Sequence, residues 1–78
     1  MGEQKIKQDE IKIGANIREI RKNKGIGQKE LVSQLQLTGV SITRETLVKI
    51  ERGIQHIQAT QLKAIRDTLG TSYDDLLK

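Results

Sequence analysis

Residues 28–53, QKELVSQLQLTGVSITRETLVKIERG, contain two short helical patterns separated by a connector. Leu31 and Leu35 lie four residues apart, a spacing that predicts one buried face of a helix beginning near Gln28. Residues 37–42 form the connector, which is too short to make a sheet of its own. The stretch therefore predicts two neighbouring helices with a turn between them.

The second helix of this stretch has a narrow apolar side and a broad polar side. Thr43 is a preferred N-cap residue, and it predicts that the helix covers residues 44–52. Leu47 and Ile50 supply its buried side. The remaining positions share one outward face by 3.6-residue geometry, and that face is long, polar and mostly cationic: Arg44, Glu45, Val48, Lys49 and Arg52.

Apolar spacing outside this stretch predicts three further helices and no strand. They begin near Lys12, Ala59 and Ser72. Residues 1–10 are polar, charged and without period, which predicts a flexible charged N-terminal arm before a single domain at residues 11–78. The predicted fold class is all-α, a compact bundle of five short helices.

Composition excludes several classes of protein. The chain has 78 residues, enough for one domain, and it has no cysteine for a disulfide, a thiolate metal site or a nucleophile. His56 is the single histidine, and the glycine patterns that bind nucleotide phosphates are missing, so we predict no enzyme, no cofactor and no metal. Since the sequence has neither an apolar run near the ~20 residues of a membrane span nor the apolar stretch of a secretory signal, we expect a cytoplasmic protein.

Positive charge is concentrated in the middle of the chain. Lys and Arg number 14 against 10 Asp and Glu; residues 12–53 have nine basic and four acidic side chains, a net charge of +5, and residues 54–78 have three of each. A basic region on a small helical domain is typical of proteins that bind a polyanion, with nucleic acid the first candidate. A charged surface that only keeps the protein soluble is the alternative that charge leaves open.

Four motifs in order carry a family resemblance. They are REIRKNKG with Arg21, GQKEL with Gln28, IERG at residues 50–53, and the ending LGTSYDDLL. With these motifs, residues 13–77 resemble the Cro/repressor-type helix-turn-helix domain, the XRE family. The resemblance implies a lambda-repressor-like DNA-binding domain, in which the second helix of the pair enters the major groove of DNA.

The turn between the two helices departs from the family pattern. From Leu35 to Thr43 it is several residues longer than the usual turn of about four residues. We therefore predict an extended turn in the helix-turn-helix. Three apolar side chains are expected to face inward and anchor it: Leu37, Val40 and Ile42.

The resemblance also implies roles for single residues. Contacts to DNA bases fall to three outward residues of the second helix: Arg44, Glu45 and Lys49. Contacts to DNA phosphates fall to five residues around it: Gln28, Thr43, Arg52, Gln55 and His56. Arg21 and Glu51 match the family's ion pair between the first helix and the recognition helix, and two independent surface charges are the alternative.

Together these features predict a sequence-specific, double-stranded DNA-binding transcriptional regulator, a repressor or controller of bacterial or phage origin. A homodimer is expected because two copies match the two-fold symmetry of duplex DNA. Its surface is expected in the C-terminal part: Ile54, Ile57, Tyr73 and Leu77. The alternative is that these side chains complete the core. The alternative is a protein-interaction module or an antitoxin that uses the same helices, and a protein partner that controls activity is also open.

Overall fold

Five α-helices and two very short strands make up the described parts of the chain, residues 5–6 and 12–78, in a computed structural model. In chain order the elements are β1 (Lys5–Ile6), α1 (Ile13–Asn23), α2 (Gln28–Leu37), α3 (Arg44–Glu51), β2 (Ile57–Gln58), α4 (Ala59–Leu69) and α5 (Tyr73–Leu76). The predicted bundle of five short helices is confirmed. The predicted helix 44–52 ends one residue earlier, at Glu51, with Arg52 as its C-cap.

Side-chain caps and a left-handed glycine set the ends of three helices. The Oγ1 of Thr43 accepts a hydrogen bond from the backbone N–H of Thr46 at 3.1 Å, which confirms the predicted cap of α3. Ser72 caps α5 in the same way through the N–H of Asp75, also at 3.1 Å. Gly70 ends α4 with a φ of 64°, which glycine adopts without steric cost.

One apolar cluster holds the helices together. Its members are buried: Ile13 and Ile17 of α1, Leu31, Val32 and Leu35 of α2, Ile42 of the turn, Leu47 and Ile50 of α3, Ile57 of β2, Leu62, Ile65 and Leu69 of α4, and Leu76 of α5. The side-chain amide of Asn16 donates to the carbonyl oxygens of Leu76 at 2.9 Å and Lys78 at 3.0 Å, which attaches the end of the chain to α1. This packing fixes α3 while one side of it faces outward.

Strands β1 and β2 form an antiparallel pair that the sequence did not predict. Lys5 lies opposite Gln58, and Ile6 lies opposite Ile57. The prediction of no strand is wrong here because a two-residue strand has no period of its own and depends on pairing with a distant segment. Apart from β1, the predicted arm at residues 1–10 lies outside the described residues, so the arm and the domain boundary stay predictions.

The extended turn between α2 and α3 runs from Thr38 to Thr43. Gly39 takes a φ of 89°, a left-handed conformation that a residue with a Cβ rarely adopts. The Nε2 of Gln36 donates to the carbonyl oxygen of Ile42 at 2.9 Å and joins the end of α2 to the end of the turn. The turn is longer than usual, and the hydrogen bond from α2 holds its end in place.

Two of the three predicted anchors of this turn face the core. Ile42 is buried and Val40 is half-buried against the core, whereas Leu37 is 87% exposed. The prediction for Leu37 is wrong because α2 extends to this residue. Leu37 follows the buried Leu35 by two helical positions, about 200° around the axis, and so faces away from the core.

Candidate nucleic-acid interface

Helix α3 is held by a narrow apolar edge and exposes most of its other side. Leu47 and Ile50 have no exposed area, and the helix packs against α1 and α2. Four charged side chains lie on the exposed side: Arg44, Glu45, Lys49 and Arg52. The structure therefore brings together the three residues predicted to contact bases.

A shallow groove runs along this side, and we call it the α3 groove. Six residues line it: Arg44, Glu45, Val48, Lys49, Arg52 and Ile54. Val48 is half-buried, and Ile54, in the loop after α3, is 64% exposed. Ile54 was predicted to lie on a dimer surface, and Val48 was assigned no contact with DNA. The signal for Val48 was its spacing, because it follows Arg44 by four residues on the same side of the helix.

A second groove, which we call the cationic groove, lies where α1, the start of α2 and the start of α3 meet. Its lining is Arg18, Arg21, Lys22, Gly27, Gln28, Lys29 and Arg44. Four of these side chains are exposed cations: Arg18, Lys22, Lys29 and Arg44. Since Arg44 also lines the α3 groove, the two grooves meet at the start of α3. A groove with this charge attracts polyanions.

Three cations of this groove were not among the residues predicted to contact DNA: Arg18, Lys22 and Lys29. Arg18 and Lys22 lie four residues apart on α1, so their shared face could have been found from the sequence. That this face adjoins Lys29 and Arg44 depends on how α1 packs against the other helices. No spacing within one helix contains that information.

Arg21 and Glu51 join α1 to α3 through two hydrogen bonds between charged groups. The Nε of Arg21 donates to Oε2 of Glu51 at 2.8 Å, and Nη2 donates to Oε1 at 2.9 Å. The side chains are 8% and 2% exposed, and Nη1 of Arg21 also donates to the carbonyl oxygen of Ile26 at 2.8 Å. Each charge depends on the other, because little water is available to replace a lost partner.

Gln28 connects this ion pair to the cationic groove. Its Nε2 donates to Oε1 of Glu51 at 3.1 Å, and the residue is half-buried at the first position of α2. Gly27, the N-cap residue, provides no side-chain acceptor for the first N–H groups of α2. These backbone N–H groups and the second amide hydrogen of Gln28 are the donors for the predicted phosphate contact.

The other residues predicted to contact phosphates lie at the two ends of α3. Thr43 is exposed at its start, where the Oγ1 that caps α3 also donates to Oγ1 of Thr46 at 3.0 Å. Arg52 is exposed at the C-cap. Gln55, half-buried, and His56, exposed, follow it and line a surface groove beside the start of α4. The structure thus places cationic or polar groups at both ends of α3.

One of the four residues predicted to form a dimer surface belongs to the core instead. Ile57 has no exposed area, so its prediction is wrong, and Leu77 is half-buried against the core. Tyr73 is 37% exposed, and the guanidinium carbon of Arg66 lies 4.4 Å from the centre of its ring. Ile57 was misplaced because it follows a loop, where no helical period indicates which side chains are buried.

Neither a metal site nor a membrane-spanning helix is found in residues 5–6 and 12–78, the described part of the chain. No group of three or more His, Cys, Asp or Glu side chains there is placed to hold a metal ion. No helix within these ranges has the length and apolar character needed to cross a bilayer.

Known proteins share this architecture. A family model for a helix-turn-helix domain matches residues 14–78. The chain belongs to the helix-turn-helix domain family. The family resemblance predicted for residues 13–77 is thereby confirmed. No curated protein matches this helix-turn-helix domain by sequence.

Two solved structures resemble this helix-turn-helix domain. The clp gene regulator ClgR from Corynebacterium glutamicum is 26% identical, with a TM-score of 0.74, over 83% of this chain and 64% of that chain. The restriction-modification controller protein C.Esp1396I, solved as a tetramer with its natural 35-base-pair operator, is 24% identical, with a TM-score of 0.67, over 86% of this chain and 92% of that chain. The chain thus spans less than two thirds of the ClgR chain. The likeness to the controller protein concerns the fold alone.

Proposed function

We propose that this protein is a sequence-specific transcriptional regulator that binds double-stranded DNA through α3. The observation that carries the proposal is the exposed, charged side of α3 on a helix-turn-helix scaffold. In helix-turn-helix proteins the second helix of the pair lies in the major groove, and its N-terminal residues contact base edges. The similarity to ClgR, a gene regulator, supports a role in gene regulation.

Three side chains of α3 suit the edges of base pairs: Arg44, Glu45 and Lys49. Arginine and lysine donate to O6 and N7 of guanine, and glutamate accepts from N4 of cytosine. Arg44 and Glu45 are the first two residues of α3, where a recognition helix is closest to the bases. Lys49 follows Glu45 by four residues on the same side. We therefore expect G·C pairs in each half-site.

The cationic groove suits the DNA backbone beside the major groove. Lys29 and Gln28 lie at the start of α2, next to Arg44. Glu51 accepts a hydrogen bond from the Gln28 amide and so orients it before DNA arrives. Contacts to phosphates position a protein on the duplex and carry no sequence information. In this proposal Thr43 and Arg52 supply further phosphate contacts at the two ends of α3.

Lys29→Ala is expected to weaken binding to every duplex by about the same factor. Each neutralised phosphate releases counterions, so the slope of log K against log salt should become less negative by about 0.9 when one contact is lost. Titrations by fluorescence anisotropy, on a selected duplex and on a random one at several salt concentrations, measure both quantities. Lys63→Ala is the matched control, because Lys63 is an exposed lysine on α4 that lines neither groove.

The same titrations test the proposed function. Selection from a random duplex library should yield a preferred sequence, and binding to it should weaken steeply with salt. A loss from Lys29→Ala on one sequence only would contradict the phosphate role of Lys29. If the protein binds no duplex but binds a protein partner with little salt dependence, it is a protein-interaction module and not a DNA-binding regulator.

We also propose that the active form is a homodimer. One α3 contacts few base pairs, and two copies related by a two-fold axis match the symmetry of a palindromic operator. Residues 54–78 have three basic and three acidic side chains, so two copies of this region carry no net repulsion. Tyr73 offers an exposed aromatic ring in the same region. These two features support a self-contact near α5.

Footprinting is expected to show two protected half-sites whose centres lie about 10 base pairs apart. Titration at high concentration should give two chains per duplex. A duplex with one half-site scrambled serves as the control and should bind more weakly. A single short footprint with one chain per duplex at saturation would exclude the dimer and leave the DNA-binding proposal standing.

The proposed mode of action is binding without catalysis. Regulation of this kind needs no cofactor, because bound protein alone changes the access of other proteins to the operator. We propose a cytoplasmic location, where bacterial and phage DNA lies. Control by the protein's concentration or by a protein partner completes the proposal.

A further inference from the structure

Two aliphatic side chains lie among the charged residues of the α3 groove. Val48 is half-buried in the middle of α3, and Ile54 is 64% exposed in the loop that follows. Neither side chain belongs to the apolar core or to the partly buried side chains packed against it. Apolar groups are stabilised when water is removed from them, so this part of the groove suits contact with another apolar group.

We propose that Val48, supported by Ile54, contacts the C5-methyl group of a thymine in the operator. This inference rests on the proposed function and adds a specificity-determining residue to it. Among the four bases only thymine presents a methyl group in the major groove; guanine, adenine and cytosine present hydrogen-bonding groups. Three cations and one carboxylate, Arg44, Lys49, Arg52 and Glu45, line the groove around the two aliphatic side chains. The net positive charge matches DNA and opposes an apolar protein surface.

The position of Val48 on α3 limits where the thymine lies. Val48 follows Arg44 by four residues, which is about 6 Å along a helix that rises 1.5 Å per residue. Base pairs repeat every ~3.4 Å along the duplex. For a helix lying along the major groove, Val48 therefore reaches a base about two pairs from the one that Arg44 contacts. The expected half-site has a thymine at that distance from a guanine.

The test removes one methyl group from the DNA. Wild-type protein first selects a preferred duplex from a random library, and each thymine of one half-site is then replaced in turn by deoxyuridine, which lacks only the C5-methyl group. Wild-type affinity should fall about fourfold at one thymine, the effect of one buried methyl group. Val48→Ala should bind the thymine and deoxyuridine duplexes equally. Ile54→Ala, a change at an exposed loop position, should reduce the same ratio.

Val40→Ala is the matched control. Val40 is half-buried like Val48, but it packs on the core from the turn and does not line the α3 groove. This variant should keep the fourfold difference, and thermal melts should show that all variants are folded. Specific binding that is unaffected by every thymine methyl group, or a difference that persists in Val48→Ala, would overturn the thymine contact but not DNA binding. Failure to select any preferred duplex would overturn both.

Discussion

The Arg21→Met variant is expected to melt more than about 10 °C below the wild-type protein. The change leaves the carboxylate of Glu51, whose side chain is 2% exposed, without the guanidinium that neutralises it. The Gln28 amide, at 3.1 Å, is then the side-chain donor that remains. Removing one partner of a buried pair costs about 3–5 kcal/mol. Each kcal/mol lowers the Tm of a domain of this size by about 4–8 °C, and a thermal melt followed by circular dichroism measures the change.

Replacing both partners of the pair is expected to destabilise the domain much less than replacing one. In the double variant Arg21→Met, Glu51→Leu, two apolar side chains take the place of two buried charges, and such changes are often neutral or stabilising. A double-mutant cycle should therefore give a large coupling energy. Small and additive effects of the single variants would show that the two residues contribute independently, as separate surface charges do.

Asp67→Asn is the control for the effect of burial. The Nη2 of Arg66 and Oδ1 of Asp67 are also 2.8 Å apart, but the side chains of Asp67 and Arg66 are 58% and 29% exposed. Their hydrogen bond raises the pKa of Arg66, which is charged at any working pH in either case. Exposed pairs contribute little to stability, so the Tm should change little. The two ion pairs have the same length, and the difference in burial accounts for the difference in expected effect.

The helices could be predicted because their signals are local. The hydroxyl of Thr43 and that of Ser72 cap the helices that follow them, as the sequence predicts. Helix α4 begins at Ala59, as predicted, and its apolar spacing and the glycine that ends it lie within one short stretch. The Arg21–Glu51 pair has no local signal, since the two residues are 30 positions apart. The pair was predicted only from the family resemblance, because the fold that the family shares determines which helices pack together.

The surface could be predicted only where one helix determines it. The charged side of α3 follows from helical periodicity, so the residues predicted to contact bases lie together. The cationic groove is lined by residues of three helices. Arg18 lines it only because α1 packs beside the starts of α2 and α3. Leu37 was misplaced because it was assigned to the connector, although it is the last residue of α2. Ile57 was misplaced because it lies in a two-residue strand after a loop, where the direction of a side chain depends on tertiary contacts and not on sequence period.

Arg44→Ala is expected to cause the largest loss of DNA affinity among single changes at the surface. Arg44 lines both the α3 groove and the cationic groove, at the start of the proposed recognition helix. A good contact between arginine and guanine contributes about 1–3 kcal/mol to discrimination against other bases. On the preferred duplex the affinity should therefore fall roughly 5- to 150-fold. On duplexes with another base at that position the loss should be smaller, so the preference there should relax.

Competition between duplexes that differ at one base pair distinguishes base contacts from phosphate contacts. Lys49→Ala should relax the preference at a second position, about 6 Å further along α3 than Glu45 and its cytosine. Lys29→Ala should weaken all duplexes alike, and Lys63→Ala should change neither affinity nor preference. An equal loss on every duplex from Arg44→Ala would assign Arg44 to the backbone instead of the bases. If Arg44→Ala and Lys49→Ala both leave affinity and preference unchanged, α3 is not the recognition helix. Both side chains are exposed on the outward side of α3, so sequence-specific binding through this side would have to involve them.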